Sequence, residues 1–169
     1  FIRQNILLTD APGSYRLNGD LLDYHAALKK QFHPKLLEAF GSPRLSDDAP
    51  FTERHRQIAA SAQAAFEEVV GDMASWAFQQ GGKRTNVAIA GGCGLNCSAN
   101  GKLLRDGPFT RMYVPPAPHD AGCAVGAALL LHHERLGKPR QFEMTHAYYG
   151  PAYGEQDIGR TLRAQGIDA

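Results

Sequence analysis

Two segments of this 169-residue sequence share one order of features: a short apolar strand, a loop with glycines, and the start of a helix. The first predicted strand, Asn86 to Ala90, leads into Gly91 to Gly94 and a helix predicted over Ser98 to Leu104. The second strand, Arg111 to Val114, leads through a proline-rich loop to an alanine-rich helix from about Cys123 to Leu136. Strands that alternate with helices predict an α/β fold whose second half has a largely parallel sheet.

Junctions of this kind are common places for ligands. In open α/β sheets ligands bind beyond the carboxyl ends of the strands. Glycine lets the backbone approach a phosphate or ribose closely, and a helix N-terminus favours an anion. The two loops could therefore hold opposite ends of one nucleotide, although the same pattern also occurs for packing alone. The first loop has neither the G-x-G-x-x-G nor the Gly-Lys-Ser/Thr pattern, which argues against a dehydrogenase or a P-loop ATPase.

Three side chains at these junctions each allow two interpretations. Asn96 is a candidate for hydrogen bonding a ribose or a phosphate, or for capping the helix that follows. Asp120 is a candidate ligand of a divalent metal on a nucleotide phosphate, or a second helix cap. Cys93 lies where a helix N-terminus would lower the pKa of a thiol nucleophile, but a small buried cysteine is the preferred interpretation. Cys123 is expected to pack on a face of small residues.

The first half is predicted to begin with two short strands and a turn. The apolar run Ile6 to Leu8 is followed by the turn residues Asp10 to Gly13, and Ser14 to Gly19 predicts a second strand and turn. Helices are predicted over Leu21 to Leu28 and Pro34 to Phe40.

A long helix is predicted to start at the cap Thr52 and to end at Gly81 and Gly82. Its apolar residues recur at three- and four-residue spacing, which predicts one core-packing face: Ile58, Ala62, Phe66, Val69, Met73 and Trp76. A last strand is predicted over Thr145 to Tyr149.

Composition narrows the class of protein. The formal net charge of +1 argues against a partner that is nucleic acid or a membrane surface. No run of the sequence is long and apolar enough to span a bilayer. Three cysteines without zinc-finger spacing indicate reduced thiols and a cytoplasmic location.

Both glycine-bearing segments resemble signatures of one family. The stretch from Ala90 to Leu103, AGGCGLNCSANGKL, resembles the GG-x-x-LN-x-x-x-N-x-x-L signature of bacterial O-carbamoyltransferases, which include nodulation-factor and antibiotic carbamoylating enzymes. The stretch from Val114 to Ala128, VPPAPHDAGCAVGAA, resembles the P-A-x-x-DAG-x-A-x-GAA signature of the same family. Flanking matches at Phe40 to Arg44 and Met144 to His146 occur in the right order.

The resemblance implies an architecture. The fold would be an actin-like (ribonuclease H-like) ATPase half-domain, with a mixed sheet flanked by helices. Residues 1–150 would form the second half of the actin-like carbamoyltransferase domain, and residues 151–169 would begin a linker toward a YrdC-like C-terminal domain. The first half of the actin-like domain and the YrdC-like domain would be the remaining partners of this chain. Both ends of the sequence are expected to lie inside a longer protein.

The resemblance also implies a chemistry. In the family, carbamoyl phosphate and ATP give carbamoyl adenylate, whose carbamoyl group passes to the hydroxyl of a small-molecule alcohol. By similarity Gly91, Gly92 and Asn96, joined by Gly122, would contact the nucleotide, and Asp120 would ligate a divalent metal, iron-like or Mg²⁺. The family's His-x-x-x-His pair is not found in this sequence. This chain alone is therefore expected to be inactive, and its catalytic base is not identified.

Two other functions remain open at this point. The chain could belong to a non-catalytic nucleotide-binding module of the actin-like class. It could also belong to a thiol enzyme that uses Cys93 as its nucleophile.

Overall fold

The structure is a computed structural model that describes residues 1–22, 32–44 and 46–167. Its helices and strands are β1 (Leu7–Ala11), β2 (Ser14–Leu17), α1 (Pro34–Phe40), α2 (Glu53–Gln80), β3 (Asn86–Ala88), α3 (Cys97–Asp106), β4 (Arg111–Tyr113), α4 (Gly122–Leu130) and α5 (Glu155–Ala164). Short helical turns cover Ile2–Ile6, Gly92–Leu95 and Leu131–Arg135. The predicted α/β class is confirmed.

The chain divides into two compact units. The first comprises Phe1–Ile89 and Cys93–Tyr113, and the second comprises Ala90–Gly92 and Val114–Ala169. Among the described residues the strands form two separate sheets of two strands each, both in the first unit, in place of the single mixed sheet that was predicted.

The first sheet is the predicted hairpin. Strands β1 and β2 are antiparallel, with Leu7 opposite Leu17 and an irregularity before the turn. Gly13 has a φ of +73°, a conformation that glycine adopts without steric cost. The guanidinium of Arg16 donates to Asp10 at 2.8 Å across the two strands. Both predicted strands are confirmed, but β1 continues through Asp10 and Ala11, so the turn is shorter than predicted.

Helix α2 begins and ends where the sequence predicts. The hydroxyl of Thr52 accepts the backbone N–H of His55 at 3.4 Å, and Nδ1 of His55 accepts the backbone N–H of Thr52 at 3.1 Å. These two bonds satisfy donors that the first turn of a helix otherwise leaves unpaired. At the other end the N–H of Gly81 donates to Ala77, and Gly82 has a φ of +72°.

The predicted core face of α2 is wrong at several positions. The buried residue of α2 is Ala65, whereas Met73 is 41% exposed and Trp76 is 48% exposed. Ala62 is also exposed, and the other members of the predicted face are half-buried: Ile58, Phe66 and Val69. The hairpin turn lies against Trp76 at Gly13, yet the two-stranded hairpin leaves Met73 and Trp76 partly exposed.

One aromatic contact, one strand pair and one helix contact complete the first unit. Phe109 is buried and packs edge to face on Phe78, with ring centroids 5.8 Å apart. Strands β3 and β4 are parallel, with Val87 opposite Met112, as the alternation of strands and helices predicts. Helix α3 packs against α2 through its buried residues Ala99 and Leu103.

In the second unit the predicted strand Thr145 to Tyr149 is wrong. The ring of His146 stacks on that of Tyr149 with centroids 4.6 Å apart, and its Nδ1 accepts the N–H of Tyr148. An extended strand separates residues three apart by about 10 Å, so this turned conformation excludes a strand. Helix α5 was not predicted, and α4 ends at Leu130 before a wider turn to Arg135.

Two other expectations concern the described ranges. The helix predicted over Leu21 to Leu28 lies outside the described residues except for Leu21 and Leu22, of which Leu21 is 5% exposed. The helices of the described ranges include none with the length and hydropathy that a membrane span requires.

Gly13 offers a test of how the hairpin docks on α2. A Cβ at this position would lie 2.4 Å from Cγ of Trp76, and the φ of +73° is unfavourable for other residues. We expect Gly13→Ala to lower the free energy of unfolding by about 2 to 4 kcal/mol, from strain and overpacking together. Urea unfolding followed by the fluorescence of the single tryptophan measures it.

The matched control is Gly82→Ala, because Gly82 has nearly the same φ, +72°, and no atom near the added Cβ. Gly82→Ala should lower the free energy of unfolding only by the backbone strain, about 1 to 2 kcal/mol. Equal losses for the two variants would show that Trp76 does not pack on the turn.

Candidate functional site

The first glycine loop leaves β3 and enters α3 through a tight turn. The N–H of Ile89 still donates to Tyr113 at 3.0 Å, one residue beyond β3. Gly91 then has a φ of +95°, which makes glycine the favoured residue there. Gly94 is buried within the turn Gly92–Leu95. The backbone therefore changes direction at Gly91, immediately after the strand.

Gly92 differs from the other glycines of this loop. It is exposed, its φ is not in the left-handed region, and a Cβ built on it meets no heavy atom within 4 Å. Neither backbone conformation nor the packing of the described residues requires glycine at this position. The predicted nucleotide contact of Gly92 stays a prediction.

The side chain of Asn96 caps α3 and is also held by α2. Its Oδ1 accepts the N–H of Ala99 at 3.0 Å, as in other asparagine caps. The same oxygen accepts from Nε2 of Gln63 at 3.0 Å, while Nδ2 of Asn96 donates to Oε1 of Gln63 at 2.8 Å. The capping interpretation of Asn96 is confirmed, and contact with a nucleotide stays a prediction.

Two further amides hold this loop, and sequence reasoning assigned neither of them a role. One is Gln63, on the middle of α2. The other is Asn100, whose Nδ2 donates to the carbonyl of Gly94 at 2.8 Å. Asn96 and Asn100 are four residues apart, which places both amides on one side of α3 near its N-terminal turn. This spacing was the signal in the sequence that Asn100 could hold the loop.

A carboxylate continues this network. Oε1 of Glu67 accepts from Nε2 of Gln63 at 2.8 Å, and its Oε2 pairs with Nζ of Lys102 at 3.1 Å. The hydrogen bond from Gln63, followed by that from Lys102, lowers the pKa of Glu67 below its ordinary value. A lowered pKa stabilises the fold above the pKa of the unfolded chain, and this contribution is lost as the pH falls through the folded-state value.

The second glycine loop contacts the first within the second unit. The N–H of Gly91 donates to the carbonyl of Pro118 at 2.7 Å, and Pro118 is buried. The structure thus brings together Gly91 and the loop that carries Asp120 and Gly122. Asn96 belongs to the other unit.

Gly122 is needed for the shape of this second loop. A Cβ here would lie 2.1 Å from the carbonyl oxygen of Ala117, so no larger residue fits without movement. Its N–H donates to His119 at 2.9 Å and closes the turn before α4. Packing of the loop explains this glycine, and its predicted nucleotide contact stays a prediction.

Asp120 does not cap α4, so the capping interpretation of this residue is wrong. Helix α4 has no side-chain cap, and Nδ1 of His119 accepts the nearby N–H of Ala121 at 3.3 Å. Asp120 is exposed, and its carboxylate has no hydrogen-bond or ion-pair partner among residues 1–22, 32–44 and 46–167. The metal-ligand interpretation of Asp120 stays a prediction.

The described residues do not form a metal site by themselves. Within these ranges no group of three His, Cys, Asp or Glu side chains is placed to hold one ion. One carboxylate fits the preference of Mg²⁺ or a similar cation for oxygen ligands, but it does not complete a coordination shell.

The cysteines are exposed and free: Cys93, Cys97 and Cys123. The expectation that Cys93 and Cys123 are buried packing residues is therefore wrong. The turn Gly92–Leu95 and the short helix α4 leave their side chains at the surface, because α4 buries none of its residues.

Comparisons with known proteins place this chain in a family. The family model described as the carbamoyltransferase N-terminus matches residues 1–129. An uncharacterized protein of Synechocystis, sll1178, is 37% identical over 99% of this chain. The nodulation protein NolO of Bradyrhizobium diazoefficiens is 44% identical over 63% of the chain.

The chain spans 28% of the length of the Synechocystis protein and 19% of that of NolO. The matched residues 1–129 include both glycine loops and every predicted site residue. This chain belongs to the carbamoyltransferase family, and it matches the N-terminal part that the family model describes.

Proposed function

We propose that the protein transfers a carbamoyl group from carbamoyl adenylate to the hydroxyl of a small-molecule alcohol. In the full-length protein this chain would supply part of the nucleotide site. Membership of the carbamoyltransferase family supports the reaction class. The observation that carries the nucleotide assignment is the glycine loop after the parallel strand β3, where Gly91 has a φ of +95° and donates to Pro118 of the second loop.

In the proposed reaction the hydroxyl oxygen attacks the carbamoyl carbon. The new bond joins that oxygen to the carbamoyl carbon, while the bond from the carbamoyl carbon to the adenylate phosphate oxygen breaks. AMP leaves with the electron pair, and the hydroxyl proton passes to a base that is not assigned among the described residues. Backbone approach at Gly91 and Gly92 would position the adenylate, since a held leaving group reduces the entropy cost of the reaction.

The proposed architecture is half of an actin-like domain. The parallel pair β3 and β4, each leading to a helix, supports this assignment. A YrdC-like domain elsewhere in the protein would make the adenylate from carbamoyl phosphate and ATP. Three exposed free thiols agree with a reducing compartment such as the cytoplasm.

The first test concerns the open space at Gly92. Gly92→Val should leave the protein folded, because the added side chain meets no heavy atom within 4 Å of its Cβ. It should weaken binding of a non-hydrolysable ATP analogue by at least about tenfold, because the side chain fills the space of the ligand. Calorimetric titration of the full-length protein measures the affinity.

Gly150→Val is the matched control, since Gly150 is equally open and lies outside both loops. It should bind the analogue like the wild type. Normal binding by Gly92→Val would remove the nucleotide assignment of this loop.

The second test concerns Asp120, which we propose as one ligand of a divalent metal. In the full-length protein Asp120→Asn should sharply reduce metal content and carbamoyl transfer, because an amide oxygen is a much weaker ligand than a carboxylate. Stability should change by less than about 0.5 kcal/mol, since the carboxylate is exposed and has no partner among the described residues. Metal analysis, a transfer assay and urea unfolding of the purified variant measure these effects.

Asp48→Asn serves as the control because Asp48 is also exposed and lies far along the chain from both loops. Full metal occupancy in Asp120→Asn would contradict the assignment of Asp120. Nucleotide binding without transfer in the wild type would favour the non-catalytic module.

A further inference from the structure

We propose that Gln63 and Glu67 are positioning residues that orient the amide of Asn96, so that Asn96 meets the nucleotide only as a hydrogen-bond donor. The inference rests on the proposed nucleotide site. It is carried by the continuous chain of bonds from Lys102 through Glu67 and Gln63 to Asn96.

The oxygen end of the Asn96 amide is identified by a backbone group. The two ends of a carboxamide are distinguished only by their partners. The N–H of Ala99 lies 3.0 Å from one end, and because an N–H can only donate, that end is the oxygen. The first turn of α3 therefore requires Oδ1 of Asn96 to face it.

The nitrogen end of the Gln63 amide is identified independently. Glu67 lies 2.8 Å from it, and an ionised carboxylate only accepts. The ion pair with Lys102 keeps this carboxylate charged, and its side chain is only 17% exposed. Glu67 therefore requires Nε2 of Gln63 to face it, which leaves Oε1 to accept from Asn96 at 2.8 Å.

The two requirements are consistent with each other. Together they occupy most of the hydrogen-bonding positions of the Gln63 and Asn96 amides. Nε2 of Gln63 donates to both Glu67 and Asn96, which uses its two hydrogens. Oδ1 of Asn96 accepts from both Ala99 and Gln63, which uses both of its acceptor positions. Nδ2 of Asn96 donates one hydrogen to Gln63, and its second hydrogen is not used in this network.

This remaining hydrogen determines which groups of a ligand Asn96 can bind. Asn96 can donate to a phosphate or carbonyl oxygen of the ligand, and it has no acceptor position left for the hydrogen of a ribose hydroxyl. A phosphate oxygen can accept this hydrogen directly, whereas a ribose hydroxyl can meet Asn96 only as an acceptor and must direct its own hydrogen elsewhere. Without Gln63 the amide would lose two of its bonds and could rotate away from this orientation.

The test is a double-mutant cycle in the full-length protein, with a non-hydrolysable ATP analogue as the probe. Asn96→Asp keeps the cap but has no N–H, and it brings a negative charge toward the phosphate. It should weaken binding at least about tenfold. Gln63→Met should weaken binding about three- to tenfold. It should have no further effect in the Asn96→Asp background, because Gln63 acts through Asn96.

Gln57→Met is the matched control, since Gln57 is an exposed glutamine on the same helix. It should bind like the wild type. Additive effects of Gln63→Met and Asn96→Asp would overturn the proposal, and so would wild-type affinity in Asn96→Asp.

A ligand-free readout separates this proposal from the proposed function. With isotope-labelled asparagine, one side-chain N–H of Asn96 should exchange slowly in the wild type and quickly in Gln63→Met. If the wild type binds no adenine nucleotide, the proposed function fails, and donation to a nucleotide fails with it. Orientation of Asn96 by Gln63 would still stand if the exchange changes as expected. Unchanged exchange in Gln63→Met would overturn it whatever the ligand result.

Discussion

The docking of α3 on α2 is the constraint on which the candidate site depends. It combines apolar burial at Ala99 and Leu103 with the paired amides of Gln63 and Asn96. Apolar burial alone would allow α3 to slide or rotate on α2, because the hydrophobic effect has no direction. The amide pair and the ion pair of Glu67 with Lys102 are directional, so they select one register. The N-terminal turn of α3, which carries Asn96, is held in place as a result.

Local chemistry allowed much of the fold to be predicted. A helix leaves backbone groups unpaired at its ends. Thr52 satisfies such a group at the start of α2, and Gly81 terminates the helix, so these two residues mark its ends. Helix α1 was predicted with its observed bounds, Pro34–Phe40, since proline suits the first turn of a helix. The strands β3 and β4 followed from short apolar runs before glycine and proline.

The errors arose where tertiary surroundings decide. Periodicity identified one face of α2, but it could not show that the two-stranded hairpin packed there leaves Met73 and Trp76 partly exposed. The run before Tyr149 suits a strand by composition, and the stacking on His146 bends it instead. Gln63 was overlooked as a site residue because its partner Asn96 lies 33 positions away in the sequence. Asp120 was ambiguous until the structure showed His119 bonded to the turn in its place.

The parallel pair β3 and β4 has a consequence for handling the protein. Parallel sheets are almost always covered on both faces and built from more than two strands. Among the described residues this sheet has two strands, so each of them has an outer edge that carries backbone donors and acceptors. Such an edge is a template on which another chain can add a strand. Each strand is only three residues long, so an added chain could pair with few residues, and solubilising additions for work on this chain by itself are best placed at these edges.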